Sequence, residues 1–376
     1  MLKSTKENLA NLIQQRGDEG LLRSLTDKSD LVDFCSNDYL GFARSNELWA
    51  GVIDDLSHVN IPFGATGSRL ISGNNQHYEN LESFVAAYHK GEAGLLFNSG
   101  YDANLGLLSS VPQSNDLVLF DELVHASIRD GLKLSRARVI SFKHNDLLDL
   151  ESKLFDDYNN IYVVVESVYS MNGDFAPLLE LVTLVNQKDI KLIVDEAHAT
   201  GIFGPKGEGR VVELGLGNSC FARVHTFGKA LGCNGAIVIG SNLLKSFLIN
   251  FARSFIYTTA LPLVSIFAIK RAYDNLSISM DKVFYVRELC RLFEEKIKVD
   301  AARLILGASP IQGVLIKGNN YCRNAAIELE KSGFYAKAIL YPTVARGEER
   351  IRICFHAFNT KSEVEGLAET FNRLTI

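Results

Sequence analysis

The chain has 376 residues, of which 47% are hydrophobic and 22% charged, and its formal net charge is -5 at pH 7. These proportions are those of a globular protein with a sizeable core, so a disordered chain is excluded. The negative charge and the lack of any long run of lysine and arginine exclude a protein that binds nucleic acid by neutralising phosphates.

Cysteine spacing and the N-terminal sequence indicate where the protein resides. The six cysteines are scattered through apolar segments without C-x-x-C spacing, which favours reduced thiols over disulfides or a zinc site. Residues 1–7 contain no apolar signal core, and no stretch of about eighteen uncharged apolar residues is long enough to span a bilayer. We therefore expect a cytoplasmic protein with no metal and no membrane segment.

Strand-like and helix-like runs alternate through the middle of the chain. Short apolar, β-branched runs predict seven strands, at residues 94–97, 117–120, 139–142, 161–165, 191–194, 224–226 and 236–239. Helical stretches lie between several of them, at residues 102–110, 125–134, 146–155 and 178–188. This alternation predicts an α/β fold whose mostly parallel, seven-stranded sheet is flanked by helices.

The two ends of the chain differ from this central part. An N-terminal helix at residues 3–15 and an arm are predicted within residues 1–45. Long helical stretches at residues 263–276 and 282–299 precede a shorter mixture of helices and strands. The sequence therefore predicts a large domain over residues 46–280 and a smaller α+β domain over residues 281–376.

One lysine, Lys229, lies among small and apolar residues in segment 226–232. Burial disfavours the ammonium form, so the free amine of such a lysine can attack a carbonyl and form a Schiff base. A lysine at a bend beside glycines explains the segment equally well when it is considered alone.

Asp195 and His198 follow the apolar run at residues 191–194. Ligands of open α/β sheets bind beyond the carboxyl ends of the strands. A lysine Schiff base with an aspartate at the pyridine nitrogen is the pairing that pyridoxal phosphate requires. Considered separately, Asp195 is explained by a helix N-cap and His198 by a core histidine, but their combination with Lys229 favours the cofactor.

Other predicted strands also end in polar groups. Residues 98–104 join a strand to a helix whose positive end is suited to a phosphate, although a simple turn is the alternative. His125 follows another strand and is suited either to lie on an aromatic ring or to cap a helix. Glu166 and Ser170 follow the most β-branched strand. Convergence of several strand ends on one crevice is typical of an active site in this class.

These motifs together resemble those of the α-oxoamine synthases. Members of this family are pyridoxal-phosphate enzymes of fold type I that condense an amino acid with an acyl thioester and release carbon dioxide. The resemblance extends over almost the whole chain. The matching segments are residues 35–41, 64–69, 98–104, 125–127, 169–174, 195–198, 226–232 and 342–343, with Arg350 and Arg352.

The resemblance implies a role for each matching residue in the cofactor site. Lys229 would form the Schiff base with pyridoxal 5'-phosphate, Asp195 would pair with its ring nitrogen, and His125 would stack on the ring. His198 and Ser170 would contact the ring hydroxyl. Further residues expected to contact the cofactor are Ser99, Gly100, Tyr101, Glu166, Thr226, Thr258 and Thr259. The last two would reach the phosphate of a neighbouring subunit, which implies a homodimer with shared active sites.

The resemblance also implies substrate-binding residues. Arg352 is the best match to an arginine that binds the substrate carboxylate, with Arg350 second; two exposed strand arginines are the alternative. Arg23 would lie near the acyl chain, and Asn37 belongs to the matching segment 35–41 on the substrate side.

Residues 142–146 and Arg23 favour those members that join L-alanine to a pimeloyl thioester on the route to biotin. Members that use serine with a palmitoyl thioester, or glycine with an acetyl thioester, are the alternatives. The donor is left open between a coenzyme A ester and an acyl carrier protein. Ala345 replaces a common proline near the acyl entrance, and Asn172 replaces a common aspartate in a substitution that we expect to be tolerated.

Two functions from other classes are also compatible with the fold class. A catalytically inactive partner subunit would be expected to lack the lysine, whereas Lys229 is present. A nicotinamide-dependent oxidoreductase would need a G-x-G-x-x-G turn after its first strand, and the sequence has none there.

Overall fold

The computed structural model describes residues 5–60, 62, 64–155 and 157–374. The strands are β1 (Val32–Asp33), β2 (Ala93–Phe97), β3 (Leu117–Asp121), β4 (Arg138–Phe142), β5 (Ile161–Glu166), β6 (Lys191–Asp195), β7 (Ala222–Thr226), β8 (Ala236–Gly240), β9 (Leu304–Ile305), β10 (Ile311–Leu315), β11 (Phe334–Tyr335), β12 (Lys337–Ile339) and β13 (Arg350–Cys354).

The α-helices are α1 (Thr5–Asp18), α2 (Asn46–Ser57), α3 (Gln76–Tyr88), α4 (Gly100–Ser110), α5 (Ala126–Leu134), α6 (Leu147–Ser152), α7 (Leu178–Gln187), α8 (Arg210–Glu213), α9 (Asn242–Phe251), α10 (Arg253–Ile256), α11 (Leu263–Leu276), α12 (Met280–Lys296), α13 (Asn319–Lys331) and α14 (Lys361–Arg373). The predicted N-terminal helix corresponds to α1, and its first two predicted residues, Lys3 and Ser4, lie outside the described residues.

A seven-stranded sheet forms the centre of the molecule, with strand order β2-β8-β7-β6-β5-β3-β4. Neighbouring strands are parallel except where β8 pairs with β2 and β7. All seven strands predicted from the sequence are present, with ends shifted by two residues or fewer. The predicted α/β class with a mostly parallel sheet is confirmed.

The apolar runs form central strands because both of their faces are covered. Val163 and Val165 pack in one apolar cluster and Val164 in another, on the opposite face. All three are at most 1% exposed. Side chains alternate between the two faces of a strand, so a continuous apolar run fits a strand that is buried on both sides.

Helix ends differ from the prediction where a cap decides them. The helix predicted over residues 146–155 is the shorter α6, which begins one residue later because the Asp146 side chain caps its start by accepting from the amide of Asp149. The helix predicted from His125 begins one residue later for the same reason, since His125 itself is the N-cap.

A smaller sheet, of order β12-β13-β10-β9, is built by the C-terminal part of the chain. Its apolar cluster also contains residues of α12, α13 and α14. Strand β1 from the N-terminal arm pairs in parallel with β11. The domain limits at residues 45 and 280 stay a prediction. In the described part of the chain, the helices are too short or too polar to cross a membrane.

The turn that contains Lys229 depends on a glycine. Gly232 has a φ of +62°, and a methyl carbon built on it would lie 2.2 Å from the backbone nitrogen of Ala43. Gly215 has a similar φ of +72°, but no atom lies within 4 Å of a methyl carbon built there. Comparing substitutions at these two glycines therefore separates the cost of backbone strain from the cost of steric conflict.

We expect Gly232→Ala to lower the free energy of unfolding by about 2 to 4 kcal/mol, because left-handed strain and overpacking add together. Gly215→Ala should cost about 1 kcal/mol, from strain alone. Urea unfolding of the two variants measures the difference. Equal losses would show that the contact with Ala43 does not constrain the turn.

Candidate active site

Five parallel strands deliver polar residues to one edge of the large sheet. Strands β3, β5, β6 and β7 end at Asp121, Glu166, Asp195 and Thr226, and Asn98 follows β2. The carboxyl ends of parallel strands lie at the same edge, which is where open α/β sheets bind their ligands. The predicted convergence of strand ends is therefore present.

Lys229 follows β7 in a tight turn closed by a hydrogen bond from the amide of Gly232 to the Lys229 carbonyl, at 2.8 Å. Its side chain is half-buried. Burial lowers the pKa of Lys229 to about 8, and the negative charges of Asp195 and Glu166 oppose a larger decrease. A substantial fraction of this amine is therefore unprotonated, and hence nucleophilic, in mildly alkaline solution.

Asp195 is fixed by two donors. Its Oδ2 accepts from the side-chain amide of Asn104 at 2.7 Å, and its Oδ1 accepts from the backbone of Ala197 at 2.8 Å. The same Asn104 nitrogen also donates to Ser127. Asn104 was matched only as part of the predicted phosphate segment, so the sequence did not indicate that it orients Asp195.

Glu166 and His125 form a second pair beside Lys229. The Oε1 atom of Glu166 accepts from the backbone amide of His125 at 2.5 Å. Burial, together with the charge of Asp195, raises the pKa of Glu166 to about 8. Burial also lowers the pKa of His125, whose Nδ1 accepts from the backbone amide of Ser127. This bond leaves the hydrogen of the neutral ring on Nε2.

His198 belongs to a buried network with residues of the N-terminal arm. Its Nδ1 lies 2.8 Å from the hydroxyl of Tyr39, which donates to Asn37 Oδ1 at 3.2 Å. Arg352 donates to the same oxygen at 3.0 Å. Burial, then the charges of Lys229 and Arg352, hold the pKa of His198 well below its ordinary value, so its ring is neutral. Tyr39 lies in the matching segment 35–41 but was not singled out from the sequence.

Both arginines of β13 are buried. Arg350 is 5% exposed and Arg352 7%, so the alternative of two exposed strand arginines is wrong. Arg350 donates to Asn172 Oδ1 and lies 3.5 Å from a carboxylate oxygen of Glu348. Arg352 instead donates to neutral acceptors, among them the carbonyl of Ser170 at 2.7 Å.

A buried guanidinium without a carboxylate partner is suited to bind an anion. Among the described residues, no carboxylate forms an ion pair with Arg352. Burying an unpaired charge is costly, and guanidinium groups bind carboxylates with two parallel hydrogen bonds. Arg352 is therefore better suited than Arg350 to receive a carboxylate from a ligand.

The start of α4 faces the same crevice. Ser99 caps this helix by accepting from the amide of Asp102 at 3.0 Å. A methyl carbon built on Gly100 would lie 3.4 Å from the Thr226 side chain, so the helix end and β7 adjoin. Tyr101 points to the surface, where it donates to Asp130. Unpaired amides and the helix dipole make this end suitable for a phosphate.

Two groups of predicted residues lie at the margin of this arrangement. The side-chain amide of Asn98 donates to Thr258 Oγ1 and to the carbonyl of Thr259, both at 2.8 Å within the same chain. That these threonines reach a neighbouring subunit stays a prediction. Arg23 lies exposed in the segment after α1, and its contact with an acyl chain also stays a prediction.

The donors and acceptors at this edge fit pyridoxal phosphate. Lys229 supplies an amine of lowered pKa, and Asp195 a carboxylate held in place by two hydrogen bonds. The N-terminus of α4 is suited to the phosphate, and the His125 ring is neutral. The amine, the carboxylate and the helix end thus match the chemistry of the cofactor's aldehyde, ring nitrogen and phosphate.

Comparison with known proteins gives the family. The sequence model of aminotransferase class I and II matches residues 29–371. The chain belongs to this family. A curated 8-amino-7-oxononanoate synthase from Emericella nidulans is 40% identical, and the alignment covers 98% of this chain and 95% of that protein.

Two solved structures share the fold. The 8-amino-7-oxononanoate synthase from Francisella tularensis is 28% identical with a TM-score of 0.78, over 92% of this chain and 98% of that one. A serine palmitoyltransferase from S. paucimobilis, solved with an adduct of pyridoxal phosphate and myriocin, has a TM-score of 0.87 at 24% identity over 98% of both chains.

Within the family, this chain is an α-oxoamine synthase of fold type I. It is a pyridoxal-phosphate-dependent C-acyltransferase, so the predicted family, enzyme class and cofactor are confirmed. An inactive partner subunit and a nicotinamide-dependent oxidoreductase do not agree with these relatives.

Lys229 should be the residue of this α-oxoamine synthase that pyridoxal phosphate labels when cyanoborohydride is added to the cofactor-free protein. Because the pKa of Lys229 is lowered to about 8, labelling should rise between pH 7 and 9 and then level off. Exposed lysines, with a pKa of about 10.4, should continue to gain label above this range. Peptide mass spectrometry measures both.

The matched control is Lys245, another half-buried lysine, whose amine lies 2.8 Å from Glu82. Lys245→Arg should keep the label and Lys229→Arg should lose it. Labelling of the Lys229→Arg protein to the same extent would contradict the assignment of the nucleophile.

Proposed function

We propose that this protein is an 8-amino-7-oxononanoate synthase. It condenses L-alanine with a pimeloyl thioester and yields 8-amino-7-oxononanoate, carbon dioxide and a free thiol for biotin biosynthesis. Relatives carrying that name support the proposal, at 40% identity over 98% of the chain and at 35% over 96%. The likeness to serine palmitoyltransferase, at 24% identity, concerns the fold alone.

The observation that carries the amino-acid half of the reaction is the buried Arg352 guanidinium, which lacks a carboxylate partner among the described residues. Arg352 and Tyr39 donate to the same oxygen of Asn37, and Tyr39 contacts His198, so the guanidinium adjoins the residues proposed to hold the cofactor. A ligand carboxylate on Arg352 would bring the α-carbon of an amino acid towards the Lys229 amine. This arrangement suits removal of the α-proton.

When bound, pyridoxal phosphate withdraws electrons from the α-carbon of an amino acid that is joined to it. The Lys229 amine, with its pKa near 8, takes the α-proton and later returns it. Asp195, held by Asn104 and Ala197, keeps a proton on the ring nitrogen. The neutral His198, whose Nδ1 faces the Tyr39 hydroxyl, would accept from the ring hydroxyl through Nε2, and Ser170 is the second residue proposed to contact that hydroxyl.

We also propose a cytoplasmic homodimer in which Thr258 and Thr259 complete the site of the other subunit. Two surface features support an interface between copies. Ile71 is 84% and Tyr257 73% exposed, although both are large and apolar. Their segments are joined by a hydrogen bond from Ala260 to the carbonyl of Gly67. The acyl group of the donor thioester is carried either by coenzyme A or by an acyl carrier protein.

The substrate proposal predicts that the holoenzyme releases carbon dioxide and free thiol from L-alanine and pimeloyl-CoA. Serine with palmitoyl-CoA and glycine with acetyl-CoA should be turned over at least about a hundredfold less efficiently, because a site shaped for one acyl group rejects another. Comparison of kcat/KM for the three pairs is the measurement. Higher efficiency with serine and palmitoyl-CoA would overturn the assignment to 8-amino-7-oxononanoate synthase.

Arg352→Lys should raise the KM for L-alanine by about tenfold or more, because lysine keeps the charge but cannot form two parallel hydrogen bonds. The KM for the acyl thioester should change little. Arg350→Lys is the matched control, since it alters a buried arginine on the same face of β13 that already contacts Asn172 and Glu348. A larger effect of Arg350→Lys on the KM for L-alanine would reverse the two roles.

A further inference from the structure

His144 lies between two carboxylates. Its Nδ1 is 3.0 Å from both oxygens of Asp121, and its Nε2 is 2.6 Å from Oδ2 of Asp174. Since a carboxylate faces each ring nitrogen, both nitrogens donate and the ring carries a positive charge. Burial acts to lower the pKa of His144, but the hydrogen bonds to the two carboxylates raise it to about 9.

One of these carboxylates is a rigid anchor on the large sheet. Asp121 is the last residue of β3 and is fully buried. It also accepts from the backbone amides of Leu123 and Asn145, at 2.8 and 2.9 Å. With three groups donating to it, the Asp121 side chain has little freedom to move.

The other carboxylate belongs to a turn over residues 169–174. The amide of Tyr169 donates to the carbonyl of Asp174, and the amide of Gly173 to the carbonyl of Tyr169. The Tyr169 ring stands perpendicular to the His144 ring, with their centroids 4.5 Å apart. The side-chain amide of Asn145 donates to the carbonyl of Phe175 at 3.0 Å. His144 and Asn145 thus attach this turn to the sheet edge.

The same turn contacts both arginines of β13. The carbonyl of Ser170 accepts from Arg352 Nε at 2.7 Å, and the side chain of Asn172 accepts from Arg350. The turn also abuts β10, because a methyl carbon built on Gly173 would lie 2.3 Å from the carbonyl oxygen of Ile311. A shift of this turn would therefore displace an acceptor that orients Arg352.

We infer that His144 is a positioning residue for substrate binding: by holding Asp174 against Asp121, it fixes the turn that directs the Arg352 guanidinium towards the carboxylate of the amino-acid substrate. The inference rests on the carboxylate-binding role proposed for Arg352. His144 itself acts through the turn and takes no part in the chemistry.

The charges around His144 explain why a neutral residue cannot replace it. Its backbone amide donates to Glu122 at 3.1 Å, so three acidic side chains surround this position. Without the imidazolium, Asp121 and Asp174 would repel each other across the gap. The turn would then move away from the sheet edge and from Arg352.

The test is His144→Gln in the holoenzyme. The KM for L-alanine should rise by about tenfold, as expected when a charge-assisted link is lost, while kcat changes by less than about threefold. The KM for pimeloyl-CoA should stay the same. Independently of activity, hydrogen exchange at the amides of Tyr169 and Gly173 should accelerate. His58→Gln is the matched control, because His58 forms an exposed pair with Asp54 and should alter none of these quantities.

A double-mutant cycle tests whether the effect passes through Arg352. Adding His144→Gln to Arg352→Lys should raise the KM for L-alanine no further than Arg352→Lys alone. Independent, multiplying effects would overturn the inference, as would an unchanged KM in active His144→Gln enzyme. If His144→Gln does not fold, Asp174→Asn tests the same link from its more exposed side, with the same expected increase in KM and the same contrary outcome.

The proposed function and this inference fail in different ways. A wild-type holoenzyme that does not turn over L-alanine overturns the proposed function. A wild-type enzyme that is active, with an Arg352→Lys effect but no His144→Gln effect on the KM for L-alanine, overturns only the role of His144.

Discussion

The site depends on the balance of charge around one half-buried amine. Lys229 shares its surroundings with Asp195 and Glu166, and burial disfavours the charged forms of Lys229 and Glu166. The pKa of Lys229 therefore falls to about 8 while that of Glu166 rises to about 8. One carboxylate, Asp195, is held by two donors in addition. The start of α4, His125 and Arg352 supply further partners for a ligand that binds beside these charged groups.

The C-terminal sheet contributes a second buried cation, Arg352, on the side of the site proposed to bind the substrate. Arg352 is buried against Ser170 and Asn37, and both of these acceptors are uncharged. Its position depends on residues from two distant parts of the chain, because the arm supplies Asn37 and the large sheet supplies the turn of Ser170. The packing of the small sheet against the large one is therefore needed to complete the site.

Much of the architecture could be predicted because it follows from local patterns. The run of valines at residues 163–165 can be buried on both faces only in a central strand, and it is. Lys229 and Asp195 could be chosen because each stands out from its immediate neighbours. Helix starts were less accurate, as at α5 and α6, because a single cap residue such as His125 or Asp146 sets the first helical residue.

The sequence by itself determined which chemical groups follow which strands. A helix start follows β2, an acid ends β6, and an amine follows β7. Only the tertiary structure decided which groups meet. It brings Asn104 to Asp195 across 91 residues and Arg352 to Ser170 across 182, and it places His144 between Asp121 and Asp174. Apolar periodicity is a property of neighbouring residues, whereas a hydrogen bond between distant segments depends on how the sheets pack. For that reason, the burial of both β13 arginines and the attachment of the 169–174 turn were beyond sequence reasoning.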